Sequence, residues 1–235
     1  MLYNPIGVLF LLAFWFLFAV LFALIEIGIL QYVFESMGVS RRYMLALLMF
    51  SLLGSYINIP IGHLPGHHEQ AGEVINFFGM QYVVPVLINS PGTVIAVNVG
   101  GAVIPVILSL YLIFKHRLFG SSIIAVTIVT IVVHLMAQPV HGVGIAVPIF
   151  IPPIITAIVA TIIYFRNPAP LAYIAGSLGT LLGADILNLD KVQGLGAPVA
   201  SIGGAGKFDG IFLTGVMAVL LTSILGRPRR SYRTA

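Results

Sequence analysis

Long apolar runs alternate with short polar breaks along almost the whole chain. The length of the runs, more than any amphipathic period, sets the predicted elements. A helix crossing a bilayer needs about 20 mostly apolar residues. Seven stretches meet or approach that length: 6–33, 43–61, 94–114, 121–138, 143–165, 170–188 and 208–226. The first is long enough to tilt or to extend out of the membrane. The reading is an all-α polytopic membrane protein, one integral membrane domain over 1–235, with an outer loop at 63–93 and a basic cytoplasmic tail at 227–235.

Composition changes the solvent. The chain is 59% hydrophobic and 8% charged, with mean hydropathy +1.09, against roughly 25% charged in a soluble domain. Lipid is therefore the medium for most of it, and an integral, multi-pass place in the cell membrane is the expectation. The absence of cysteine excludes disulfides and Cys-ligated metal sites. The net charge of +4 is small and sits mainly at one end, which suits anionic lipid better than nucleic acid. The N-terminus lacks a basic leader and its apolar run is long, so it reads as a span and not a cleaved signal.

Charge also orients the spans. Arg41, Arg42, Lys115, Arg117, Arg166, Arg227, Arg229, Arg230 and Arg233 follow odd-numbered spans, nine of the eleven Lys and Arg. Lys191 and Lys207 fall on the other side. The N-terminus is then outside and the C-terminus inside. Glu69, Glu73, Asp185, Asp190 and Asp209 fall on or near the outside, with His63, His67, His68 and His141.

Pro and Gly concentrate in the same outer half: "SYINIPIG", "PGTVIAVNVGGAVIP", "HGVGIAVPIFIPP", "GTLLGADILNL" and "ASIGGAGKFDG". Irregular backbone survives in lipid only where protein or a watery cavity satisfies it. Spans 2, 3, 5, 6 and 7 are therefore expected to converge there. Close helix packing also uses glycine, but it does not account for the polar residues alongside: Asn58, Asn98, Asp185, Asn188, Ser201 and Asp209. These six are the candidate ligand-binding set. "AVNVGGA" (96–102) and "VASIGGA" (199–205) share a pattern, which suggests one backbone shape used twice.

Asp185 and Asp209 carry the chemistry. A carboxylate within a span costs roughly 2.5–3.5 kcal/mol or more unless paired or hydrated. Two brought together bind a cation, shuttle protons or act as an aspartyl pair. Asp209 also suits a plain helix cap, and Asp190 reads as a loop residue. The histidines of "GHLPGHHEQ" fit no helix-borne ligand spacing, so no metal site is assigned. His134 reads as a core histidine or a proton relay. No nucleotide, zinc-protease or serine-hydrolase motif is present, and no cofactor is implied.

The segments "NIP" (58–60), "VNVGGAVIP" (97–105), "IAGSLGTLLGAD" (174–185) and "GAPVASIGGAGKFDGIFLTG" (196–215) resemble the prokaryotic Domain of Unknown Function 1614 family. The resemblance covers most of the chain after about residue 40. It implies a compact helical membrane domain and transfers no catalytic residue. A looser similarity is to intramembrane aspartyl proteases. Their second aspartate follows a G-x-G directly, whereas Asp209 comes three residues after Gly206. Three functions follow: binding and translocation of a small solute or cation, an intramembrane hydrolase using Asp185 and Asp209, or a non-enzymatic assembly or receptor subunit. Partners are the bilayer and a small ligand, with a homo-oligomer left open.

Overall fold

The computed structural model describes residues 5–65, 68–77, 80–89, 92–140, 144–192, 199–204 and 210–225. Its helices are α1 (Pro5–Ser36), α2 (Arg41–Gly54), α3 (Ile104–His116), α4 (Phe119–Met136), α5 (Ile151–Ile163), α6 (Pro168–Thr180) and α7 (Gly210–Leu225). The strands are β1 (Asn58–Leu64), β2 (His68–Phe77), β3 (Met80–Asn89), β4 (Thr93–Asn98), β5 (Gln138–Val140), β6 (Gly144–Ala146) and β7 (Val199–Ile202). Among the described residues, seven α-helices overlap the seven predicted apolar runs. Four segments among the described residues are long and apolar enough to cross a membrane: Trp15–Ser36, Val99–His116, Phe119–Met136 and Pro168–Val192. α5 and α7 are apolar but shorter, and α2 has 14 residues. The helices are those of a membrane protein.

The all-α expectation needs correction. β1, β4 and β7 form one sheet in that order, β2 pairs with β3, and β5 with β6. β1 runs antiparallel to β4, and β7 parallel to it. The segment 58–61 thus leaves the second predicted span, and 94–98 leaves the third. The 63–93 loop contains a regular antiparallel hairpin, with His68 opposite Asn89 and Phe77 opposite Met80. The physical reason is in the residues. "TVIAVN" and "QYVVPVLIN" are rich in β-branched side chains, which suit extended backbone. Short apolar runs of this kind fit strand and helix equally well on hydropathy alone.

α6 is the hub of the bundle. Only Pro168 and Leu178 of its thirteen residues escape full burial, and it packs on α3, α4, α5 and α7. Small side chains make that approach available. A Cβ at Gly176 would come 3.2 Å from the Cα of Gly215 on α7. At Gly179 it would come 2.6 Å from the Val129 side chain of α4, and at Gly183 2.6 Å from the Thr130 carbonyl oxygen. Apolar helices gain no hydrophobic drive from meeting each other in lipid, so such close packing carries the association.

At the end of the bundle remote from the sheet, α3 is fastened to the α1–α2 turn. His116 Nε2 bonds the Met37 carbonyl at 2.9 Å, and Lys115 Nζ donates to the Gly38 carbonyl. Gly38 takes a φ of 81° as α1 ends, a left-handed conformation that suits glycine. Two of the predicted inner turns, with Arg41, Arg42, Lys115 and Arg117, therefore meet.

If α6 is the packing hub, Gly179→Ala and Gly183→Ala should each lower the unfolding midpoint in detergent, at an overpacking cost of ~1–3 kcal/mol. Gly28→Ala and Gly120→Ala, with nothing within 4 Å of the added methyl, should leave it unchanged or raise it. Equal midpoints for all four variants would contradict this packing.

Candidate functional site

Two helices begin or end irregularly at the sheet end, and each break is held by an asparagine. β4 passes into a π-turn, Val99–Val103, before α3 starts. Asn98 precedes it and is 2% exposed. Its Oδ1 accepts the Gly101 N–H at 2.8 Å, and its Nδ2 donates to the Ser55 carbonyl at 2.8 Å and to Asn58 Oδ1 at 3.1 Å. Ser201 Oγ donates to the same Asn58 oxygen at 2.6 Å. The sheet register explains the meeting: Asn58 pairs with Asn98, and Ser201 with Ala96 on the same strand. Gly100 is pressed against α2, where a Cβ would fall 2.0 Å from the Ser51 carbonyl oxygen. Asn58, Asn98 and Ser201, three of the six predicted residues, therefore form one hydrogen-bonded chain across three strands.

The second break continues α6. It passes into a π-turn, Leu181–Asp185, and then a 3-10 segment, Ile186–Val192. The sixth predicted span, 170–188, is thus extended to Val192, and Asp185 lies within the helical path, not at its end. Asn188 is fully buried and donates to the Gly183 and Ala184 carbonyls at 2.8 and 3.0 Å. These carbonyls lie where the regular i→i+4 pattern lapses. Lys191 Nζ donates to Asn188 Oδ1 at 2.8 Å. Asn188 spends its amide on the protein, and so does Asn98.

A cavity of about 450 Å³ opens between β6, β7, the α6 break and α7. Asp185, Thr180, Ser201 and Thr214 supply its polar side chains, and most of the remaining wall is aliphatic. In a regular α-helix residues five apart point about 140° apart. The π-turn lengthens the repeat to an i→i+5 spacing, and both Thr180 and Asp185 line the cavity. Asp185 is half-buried, and its Oδ2 accepts the Gly203 N–H at 2.7 Å. Gly203 holds a φ of 86°, and a Cβ there would lie 2.4 Å from that of Ala102. Only glycine fits, so one residue closes β7 onto the first π-turn and presents its N–H to the carboxylate.

Thr180 is the residue that sequence reasoning missed. It is 5% exposed, and its hydroxyl makes no hydrogen bond in the protein. Its one sequence signal is a hydroxyl in "GTLLGAD", five places before the aspartate. Ser177 and Thr156 are alike, buried with hydroxyls unbonded. Both crowd the Gly176–Gly215 contact: the added methyl at Gly176 would meet the Thr156 methyl at 3.3 Å, and that at Gly215 the Ser177 hydroxyl at 2.6 Å. Elsewhere Thr161, Thr214, Thr222 and Ser223 bond back to carbonyls of their own helices.

Asp209 lies outside the described residues, as do His67 and His141, so the Asp185–Asp209 approach has no geometry here. Asp190 and His63 are exposed. His134 is part-buried in the last turn of α4 beside Gly183, with Nδ1 buried and unbonded. The "GGA" echo is kept only in its strands. Its two glycine pairs differ, Gly100 and Gly101 winding into a π-turn while Gly203 and Gly204 take φ of 86° and 147°.

A family model described as "Protein of unknown function (DUF1614)" matches residues 52–221, and the chain belongs to that family. The match spans both π-turns, the three-stranded sheet and every described residue of the cavity wall. No curated protein matches the chain, and no solved structure does.

The two asparagines should behave as scaffold. Asn98→Ala and Asn188→Ala each strip partners from buried backbone groups and should cost ~1–3 kcal/mol. Asp190→Ala, at an exposed position, should change stability by no more than ~0.5 kcal/mol. Chemical unfolding in mixed micelles measures this, and unchanged stability in both asparagine variants would show that the breaks are held by something else.

Proposed function

We propose that this DUF1614-family protein is a multi-spanning membrane protein that binds a small solute or cation at Asp185 and translocates it. The N-terminus and the cavity face outside and the basic C-terminus inside. The observation that carries the reading is Asp185 itself. Among the described residues the carboxylate has one backbone donor and no cation, and it lines a cavity. A carboxylate inside an apolar segment is costly without a counter-charge or water, and a bound cation or polar solute offsets that cost. Asn58, Asn98 and Ser201 brace the wall, and Ser201 also faces the solute. The unbonded hydroxyls of Thr180, Ser177 and Thr156 supply a polar route from the cavity into the α5–α6–α7 seam. Thr180 and Ser177 are three residues apart on one helix face, within reach of a shared water or solute.

The natural absence of cysteine makes the test direct. Thr214→Cys places one thiol in the cavity wall. In proteoliposomes of known orientation, an impermeant cationic methanethiosulfonate should modify it several-fold faster than an anionic one. Asp185→Asn should erase that preference, and Asp190→Asn should keep it. Translocation further requires modification from either side of the bilayer. Reaction from one side only would leave a binding site without transport, and no charge preference would remove Asp185 from the site. A second pair of single cysteines, Glu69→Cys and Thr234→Cys, checks the orientation: only the first should label from outside whole cells.

A further inference from the structure

The cavity wall narrows the class of ligand. Its volume of about 450 Å³ lies in the range of pockets for small organic molecules, roughly 300–1,000 Å³. A bare metal ion would leave most of it unfilled. Ile145, Val147, Leu189, Val192, Ile211 and Leu213 offer an aliphatic surface, which favours a ligand with an apolar body. No basic side chain stands among the described wall residues, so among them an anionic head would meet Asp185 with no compensating charge.

The polar groups are of one kind. Asp185 contributes a carboxylate whose Oδ2 is shared with the Gly203 N–H. Thr180 adds a buried hydroxyl without a partner, and a hydroxyl oxygen accepts a hydrogen bond as readily as it donates one. A head group that is positive and carries several N–H donors satisfies both. A quaternary ammonium is positive but has no N–H. Sites for such heads enclose them in aromatic rings, and no aromatic side chain is among the described wall residues.

We propose that the cavity takes a protonated alkylamine, its ammonium between Asp185 and Thr180 and its chain against the aliphatic wall. The charge-assisted bond to the carboxylate is the stronger of the two. The hydroxyl distinguishes an ammonium with free N–H groups from a methylated one. This rests on the binding function proposed above and goes further by naming the ligand class.

The test is calorimetric titration of the purified full-length protein in nanodiscs at neutral pH. The probes are hexylamine, hexanol, hexanoate, hexyltrimethylammonium and sodium chloride. Hexylamine should bind saturably, and hexanol, hexanoate and hexyltrimethylammonium at least tenfold more weakly. Asp185→Asn keeps an oxygen for the Gly203 N–H and should weaken hexylamine at least tenfold, with the unfolding midpoint checked in parallel. Thr180→Val, which preserves shape, should weaken hexylamine several-fold while leaving hexanol unchanged. Hexanol binding as tightly as hexylamine, or hexylamine indifferent to both substitutions, would overturn the amine assignment and leave the cavity as a site for another solute. Sodium binding that depends on Asp185, with no organic probe bound, would also overturn it while keeping the cation site. No binding by any probe would remove both readings.

Discussion

A helix that leaves α geometry in apolar surroundings frees backbone groups that only the protein can satisfy. Most of this structure follows from that constraint. Both π-turns carry an asparagine suited to the group each one exposes. At Val99–Val103 the exposed group is an N–H, and Asn98 accepts it through Oδ1. At Leu181–Asp185 the exposed groups are carbonyls, and Asn188 donates to two of them. Strands do the same work nearby. β1, β4 and β7 satisfy one another in a short sheet where an unpaired extended segment could not persist. α6 must lie at the centre for this to hold, because its break packs against α4 and β6 and takes the Gly203 N–H at the end of β7. The glycines at 176, 179 and 183 let it sit there.

The same break creates the chemistry. The π-turn lets Asp185 share the cavity wall with Thr180, and Gly203 supplies the carboxylate with a single N–H. A regular helix would satisfy its own backbone but turn the two side chains apart. π-turns recur at functional sites in proteins generally, since they place side chains that a regular helix cannot. Here the scarce acid and the glycine-rich segment belong together for a concrete reason: Gly203 alone tolerates both its backbone conformation and the contact with Ala102.

The sequence shows the helices well where hydropathy is decisive. α4 and α7 lie within about two residues of their predicted runs, and the convergence of Asn58, Asn98 and Ser201 is legible from their place beside Pro and Gly. Their role is not. An asparagine that binds a ligand and one that braces a strand look the same until the register is known. The strands at 58–64 and 93–98 are hidden because apolar content reports the solvent and not the backbone period. Thr180 is hidden because a π-turn shifts its phase with Asp185, and nothing in the hydropathy of "GTLLGAD" marks that shift.

Thr180 and Asp185 line one cavity across the Leu181–Asp185 turn. A single-cysteine reactivity scan over residues 177–192, with a small water-soluble thiol reagent, tests it most directly. Maxima should fall at the cavity-lining positions Thr180, Ala184, Asp185, Leu189 and Val192, with Gly183 and Asn188 protected. Maxima spaced regularly every three or four residues from Thr180, with Asp185 silent, would mean an unbroken helix and would contradict it.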